Sequence, residues 1–287
     1  MKTFLMALLA LSVAALIGCG SNTTNTGDSG KSGGAQAGGD TLAKVKKAGV
    51  IKWGADRSGG APFVYTDPDD AAGERVIGFE VDIMEQIAKH MGVKAELVNA
   101  SWDGLLDNMN SMRSDIVLNG YEIVPKWQAK ADFSQPYFVY DQQLTVRAAD
   151  KDKYKKLEDM KGLKMGTLSG AAANEVVKEK GFAEDQIVQA PDSQSPYENL
   201  KLKRVDGVVQ ESIIAGFYAG KDAELYNVPE TFASGKYGVA VRKGDKALLD
   251  EINRVLTEMK KNGELAAIYK KWNMLDAKQK EIGIEAK

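Results

Sequence analysis

Residues 78–92 read GFEVDIMEQIAKHMG, and this stretch lies between VIKWGAD (50–56) and KAELVNA (94–100). Phe79, Ile83 and Ile87 recur every four residues and so share one face of a helix, while the short flanking runs read as strands. The order continues with SWDGLLDNMNSM (101–112) as a helix and DIVLNG (115–120) as a third strand. It then repeats in KMGTL (164–168), AAANEVVKEKG (171–181), QIVQA (186–190), a helix opened by Ser195-Pro196, and VDGVVQE (205–211). Proline just after a serine cap is a good helix start. Two βαβαβ units predict an α/β protein with two mostly parallel sheets, whose ligands bind outside the carboxyl ends of the strands.

That rule selects Asp56 and Arg57 after the first strand, Ser101 and Trp102 after the second, and Asn119, Gly120, Tyr121 and Glu122 after the third. From the second unit it selects Leu168 to Ala173, with Gly170 and Ala172 among them, then Pro191 to Ser193, and Gln210 with Glu211. If the units face each other, these loops line one cleft. Residues 115–138, DIVLNGYEIVPKWQAKADFSQPYF, place the acceptors Asn119 and Glu122 among Tyr121, Trp127 and Tyr137. Packing explains any one of these rings alone; their grouping at a strand end reads as a wall of a binding site.

The ends of the chain set the compartment. Lys2 precedes an apolar run, Phe4 to Ile17, that is shorter than the roughly 20 residues of a spanning helix and reads as an export signal over residues 1–18. The run stops at Leu16-Ile17-Gly18-Cys19, which resembles the lipobox of bacterial lipoproteins and makes Cys19, the single cysteine, the expected lipidation site. An exported protein that spends its one thiol on lipid has no disulfide framework. Residues 19–40 hold no Val, Leu, Ile or aromatic residue and read as a flexible tether with a mean span of about 25 Å.

The remainder is larger than one typical core and is expected to form two lobes: residues 41–143, then 144–231, with 232–287 returning to the first. A formal net charge of -2, with no basic face interleaved with aromatics, argues against nucleic acid as a partner. The lysine-rich stretch 151–164 also carries Asp152, Glu158 and Asp159 and reads as a solvated helix end, and His90, the one histidine, as a charge near a helix C-terminus. Catalytic triads, P-loops and metal-ligand spacings do not occur in the sequence, so no cofactor is expected.

Eight segments in order, WGADRSGGAPF, IGFEVDIMEQIAKHMG, SWDGLLDNMNSMRSDIVLNG, ADFSQPYF, LEDMKGLKMGTLSG, KRVDGVV, GKYGVAVRKGD and ELAAIYKKW, resemble the family 3 solute-binding proteins of amino-acid ABC importers. The resemblance spans 41–276 and implies a two-lobed periplasmic-binding-protein-like (type II) fold. Its two crossover strands would match QQLTVRA (142–148) and KYGVAVR (236–242). It implies a monomer outside the cytoplasm that captures an amino acid or amine and presents it to a membrane permease, anchored through lipid on Cys19.

Matched residue by residue, Asp56, Trp102, Asn119 and Gly120 fit the family pattern, but four positions depart from it. Glu122 stands for the usual Ser or Thr, Trp127 for the arginine that grips the α-carboxylate, Ala172 for a Thr serving the same group, and Glu211 for an Asp that binds the ammonium. The aromatic residue before Pro62-Phe63 is also replaced, by Gly59-Gly60-Ala61. The pocket thereby gains acceptors and loses donors. Two readings stay open: a cationic solute held by carboxylates and rings, or an ordinary amino acid whose carboxylate is held by Arg57, Lys126 or the amides after Ser169-Gly170. Beside importer function stand a cleft lyase of the dehydratase kind and a sensory binding protein feeding a receptor.

Overall fold

The computed structural model describes residues 40–58 and 60–285, all within one compact unit. The export signal, Cys19, the tether up to residue 39 and Gly59 lie outside the described residues. The first half of the chain comprises α1 (Thr41–Ala48), β1 (Val50–Ala55), β2 (Tyr65–Thr66), β3 (Val76–Ile77), α2 (Phe79–Met91) and β4 (Lys94–Asn99). It continues through α3 (Leu105–Asn110), β5 (Ile116–Val117), α4 (Pro125–Gln128) and β6 (Asp132–Phe133) to a long strand, β7 (Phe138–Arg147). The second unit holds β8 (Met165–Leu168), α5 (Ala172–Glu179), β9 (Ile187–Ala190), α6 (Ser195–Lys201), β10 (Gly207–Glu211) and α7 (Ser212–Tyr218). The thirteen-residue β11 (Leu225–Tyr237) leads back to β12 (Ala240–Val241), α8 (Lys246–Asn262) and α9 (Glu264–Lys271).

Two five-stranded sheets result, in the orders β4-β1-β5-β12-β6 and β11-β7-β10-β8-β9. Each has a parallel core of three strands, β4-β1-β5 and β10-β8-β9. One strand of each sheet, β12 in the first and β7 in the second, runs against the other four and pairs antiparallel with both neighbours, so each sheet is mostly parallel with one reversed strand. Chain passage between the sheets explains one of these pairings: β11 returns beside the outgoing β7 and so pairs with it in the opposite direction. Both crossing strands begin earlier than the sequence expectation: β7 starts at Phe138, opposite Tyr237, and β11 at Leu225. KYGVAVR is divided between the last residues of β11 and the two-residue β12 of the first sheet.

The helical periodicity of residues 79–91 is realised on a fully buried face: Phe79, Ile83, Met84 and Ile87 lose all exposure, packing in one cluster with Ile252 and Leu256 of α8. Gly92, in the left-handed region at φ 68°, ends α2. The second unit has its own core of Leu144, Val146, Met165, Val177 and Val209. Residues 151–164 are not a helix end. They hold a 3₁₀ turn, Leu157–Met160, whose Leu157 and Met160 join Tyr154 in that core while the lysines face outward. Ser195 is the first residue of α6 and not its cap, and in the loop before it Asp192 accepts from the amides of Gln194 (3.0 Å) and Ser195 (2.8 Å) and from the Ser195 hydroxyl (2.7 Å). His90 sits at the end of α2 with Nε2 2.7 Å from Glu264 of α9. Among the described residues no helix is long and apolar enough to cross a membrane.

Candidate functional site

The carboxyl ends of β1, β4 and β5 meet as the βαβ reading requires, tied by polar contacts. The Asp56 amide donates to Asn119 Oδ1 at 2.9 Å, and the Asp56 carboxylate accepts from the amides of Ser58 (2.8 Å) and Trp102 (3.2 Å). Trp102 Nε1 in turn donates to the Asn119 carbonyl at 2.9 Å. The indole of Trp102 stacks on Tyr121 with centroids 4.7 Å apart and planes at 19°, and Trp127 packs edge-on against both, at 5.8 and 5.5 Å. Tyr121 is fully buried and its hydroxyl donates to the Trp102 carbonyl at 2.6 Å. Offset and edge contacts of this kind add about 0.5–1.5 kcal/mol each beyond burial, so Trp102 is presented on a rigid backing.

The second unit closes on this wall. Gly170 adopts φ 79°, and a Cβ there would lie 3.4 Å from Trp102 and 3.8 Å from Trp127, so its backbone packs on both indoles. Leu168 and Ala171 join Trp102, Tyr121 and Trp127 in one buried cluster. Lys126 reaches across, donating to the Gly170 carbonyl at 3.2 Å with its ammonium 4.5 Å above the Trp127 ring.

Between the units lies a small cavity of about 20 Å³. Asp56, Trp102, Asn119 and Gly120 line one side. Leu168, Asp192 and Glu211 line the other, and Phe63 and Ile214 also face it. Three carboxylate residues line this cavity, and no lysine or arginine does among the described residues. Gly120 is required here, because at φ 61° a side chain would be strained and its Cβ would stand 3.0 Å from the Phe63 ring.

Glu122 lies behind the lining. It is fully buried, and its Oε1 accepts from the Ala172 amide at the start of α5, 2.9 Å away, which ties the first unit to the second. Burial raises its pKa, an effect partly offset by the Ala172 amide. Glu211 ends β10 and is 4% exposed; burial and then the neighbouring Glu122 charge raise its pKa well above the usual carboxylate range. Neither Oε2 meets an N–H or hydroxyl donor among the described residues, and the two side chains face each other. Two carboxyl groups this close in a dry interior cannot both ionise at little cost, so the pair favours a shared proton or a counter-cation. Trp127 Nε1 lies close enough to Glu122 to favour its charged form but has no partner of hydrogen-bond geometry.

Arg57 is turned away from the cleft. Its Nε donates to Thr66 Oγ1 at 3.3 Å and its guanidinium also bonds the Gly73 carbonyl, so it braces the β2–β3 hairpin. Of the other residues singled out in sequence, Asp56, Trp102, Asn119, Gly120, Leu168 and Glu211 line the cavity. Tyr121, Glu122, Trp127, Gly170 and Ala172 form the layer around it. Sequence reasoning missed Phe63, Ile214 and Glu80. Glu80 is fully buried in α2; its Oε1 accepts from the Gly120 amide at 2.9 Å and from the Tyr137 hydroxyl, while Oε2 has no partner among the described residues. Burial raises its pKa to about 7, against the lowering pull of those bonds. The signal was present: Glu80 stands three, four and seven residues before Ile83, Met84 and Ile87, an acidic residue on an apolar face.

Comparison with known proteins agrees with this architecture. The chain is 32% identical to the L-cystine-binding protein TcyJ of Escherichia coli (strain K12) over 232 residues, 80% of this chain and 85% of that protein. Among solved structures, the ancestral amino acid-binding protein AncCDT-1, a precursor of cyclohexadienyl dehydratase, superposes with a TM-score of 0.73 at 31% identity, covering 81% of this chain and 99% of that one. An ancestral arginine-binding protein bound to arginine superposes with a TM-score of 0.71 at 34% identity, covering 78% and 98%. A model of the bacterial extracellular solute-binding proteins, family 3, matches residues 51–275. Two α/β units, a cleft at their strand ends and a match over most of the chain lead to one conclusion: this protein belongs to the bacterial extracellular solute-binding proteins, family 3.

Proposed function

We propose that the cleft captures a small cationic solute of amino-acid size, and that the protein delivers it to an ABC permease from the outer side of a bacterial membrane. The observation that carries the charge of the ligand is the lining: Asp192 and Glu211 face the cavity, and no lysine or arginine among the described residues lines it. An anion at about 4 Å from such a carboxylate meets a repulsion on the order of 4 kcal/mol at an effective dielectric near 20, and a cation a matching attraction before desolvation. Relatives that bind arginine, such as the ABC transporter arginine-binding protein 1 of Escherichia coli (strain K12), 27% identical over 207 residues, support the same class. In this reading Asp56, Asn119 and Glu211 contact the solute, Trp102 packs on it, and residues 41–143 with 232–287 move against 144–231 as two lobes. Lipid on Cys19 holds a monomer to the membrane through the tether at 19–40, in keeping with the lipobox-like LIGC.

In this reading the cleft binds its ligand without transforming it, in keeping with relatives that are binding proteins. Mass spectrometry of small molecules released by denaturing the purified protein tests both points. A cation recovered unchanged after long incubation is expected. Conversion of that compound would make the protein an enzyme, and an anionic occupant would overturn the charge assignment.

A further inference from the structure

Helix α7 borders two spaces: Ile214 faces the cleft, whereas Ser212, Ile213, Gly216 and Phe217 face a separate groove of about 530 Å³. The first unit supplies Pro62, Trp272 and Met274 to that groove. A space of this order at the junction of two units is where small molecules bind. Its rings are held in place. Tyr65 packs edge-on against Phe217 at 5.6 Å and Trp272 at 6.4 Å, and Trp272 Nε1 donates to Asp82 Oδ2 at 2.7 Å. Phe217 is nonetheless 40% exposed. Gly216 lies inside α7, where glycine weakens a helix relative to alanine, yet a Cβ there would meet nothing within 4 Å. Gly220 has a steric reason to be glycine, since its Cβ would strike the Gly216 carbonyl; Gly216 has none, and what it does is leave the groove open. The acidic groups of the groove are spent on the chain's own donors. Asp141 accepts from the Thr231 and Ser234 hydroxyls and pairs with Lys278, and Asp276 Oδ1 accepts from the Lys278 amide at 2.9 Å and Gln279 Nε2 at 3.1 Å. Lys221, three residues past the end of α7, has no hydrogen bond or ion pair among the described residues.

We propose that this groove is a second small-molecule site, taking a carboxylate with a flat apolar body whose ring packs on Phe217 and Trp272 and whose anionic head meets Lys221. Ring packing supplies the apolar part of the affinity, and the ammonium supplies the charge-assisted bond that fixes which end of the ligand faces α7. The site is separate from the cleft, and its ligand is opposite in charge to the solute assigned there.

Calorimetric titration of the full chain with indoleacetate, and with the uncharged indoleacetamide, tests the assignment on the unmodified protein, Gly216→Leu and Lys221→Glu. The unmodified protein is expected to bind the acetate at least about tenfold more tightly than the amide. Gly216→Leu fills the open space beside Phe217 and should weaken indoleacetate by about tenfold or more, with a midpoint of urea unfolding no lower than that of the unmodified protein. Lys221→Glu, at an exposed position, should abolish the preference for the acetate while the amide still binds. Equal binding of acetate and amide to the unmodified protein overturns the proposal, as does acetate binding left unchanged by either substitution, which would place the anion elsewhere. Failure of indoleacetate to bind at millimolar concentration overturns it too.

Discussion

Replacing Glu80 by glutamine isolates the buried carboxyl that holds the Gly120 segment of the cleft. Glu80 is fully buried, its Oε1 accepts from Gly120 and Tyr137, and its pKa is raised from 4.5 to about 7 by burial. Each tenfold change in acidity is about 1.36 kcal/mol, so keeping this group protonated is linked to about 3 kcal/mol of folding stability. The folded form holds the proton more tightly than the unfolded chain. That stability is therefore fully present below about pH 4.5 and is lost as pH rises through about 7. Glutamine cannot ionise, so any fixed cost of its amide is the same at every pH. Urea unfolding of both proteins at about pH 5 and about pH 8 should show the Glu80→Gln variant gaining on the unmodified protein by about 2–3 kcal/mol across the interval. Other titrating groups cancel in this difference. A difference that stays within about 0.5 kcal/mol would show that Glu80 ionises in the fold like a surface carboxylate, and would refute the reasoning.

Trp127→Ala should cost about 3–5 kcal/mol by denaturant unfolding, because the 4% exposed indole backs both Tyr121 and Trp102, while Trp127→Phe should keep most of that stability; a cost under about 1 kcal/mol for alanine would contradict the packing account. Cation binding should release a proton from the Glu122–Glu211 pair, so affinity should rise with pH until the pair is ionised, and calorimetric heats should depend on the buffer's ionisation enthalpy; buffer-independent heats would show the pair already charged. Cys19→Ser should move the protein from the membrane to the soluble fraction or stall its maturation, and unchanged fractionation would remove the lipid anchor from the account.

Much of this was legible because local periodicity and strand-end rules act on neighbouring residues. The buried face of α2 follows from Phe79, Ile83 and Ile87, and the ends of β1, β5, β8 and β10 place Asp56, Asn119, Leu168 and Glu211 on the cavity. What escaped depends on contacts between distant segments. The Glu122–Ala172 bond joins residues fifty positions apart and exists only where the two units meet. The Arg57 side chain turns on the position of Gly73 in a hairpin the periodicity does not register. The reversed strand of the first sheet is the two-residue β12, below the length at which alternation carries information. Trp127 was singled out for what it replaced, and its place behind Trp102 emerges only from the packing of Tyr121 between strand and helix.

The central claim, that a family 3 binding cleft here selects positive charge, is tested most directly by calorimetry of the full chain and its Glu211→Gln variant against cationic, neutral and acidic solutes at low and high salt. The account predicts that the tightest ligand of the panel carries net positive charge and that Glu211→Gln weakens it by about tenfold or more. Tighter binding of glutamate or glutamine than of every cation, undiminished in Glu211→Gln, would contradict it.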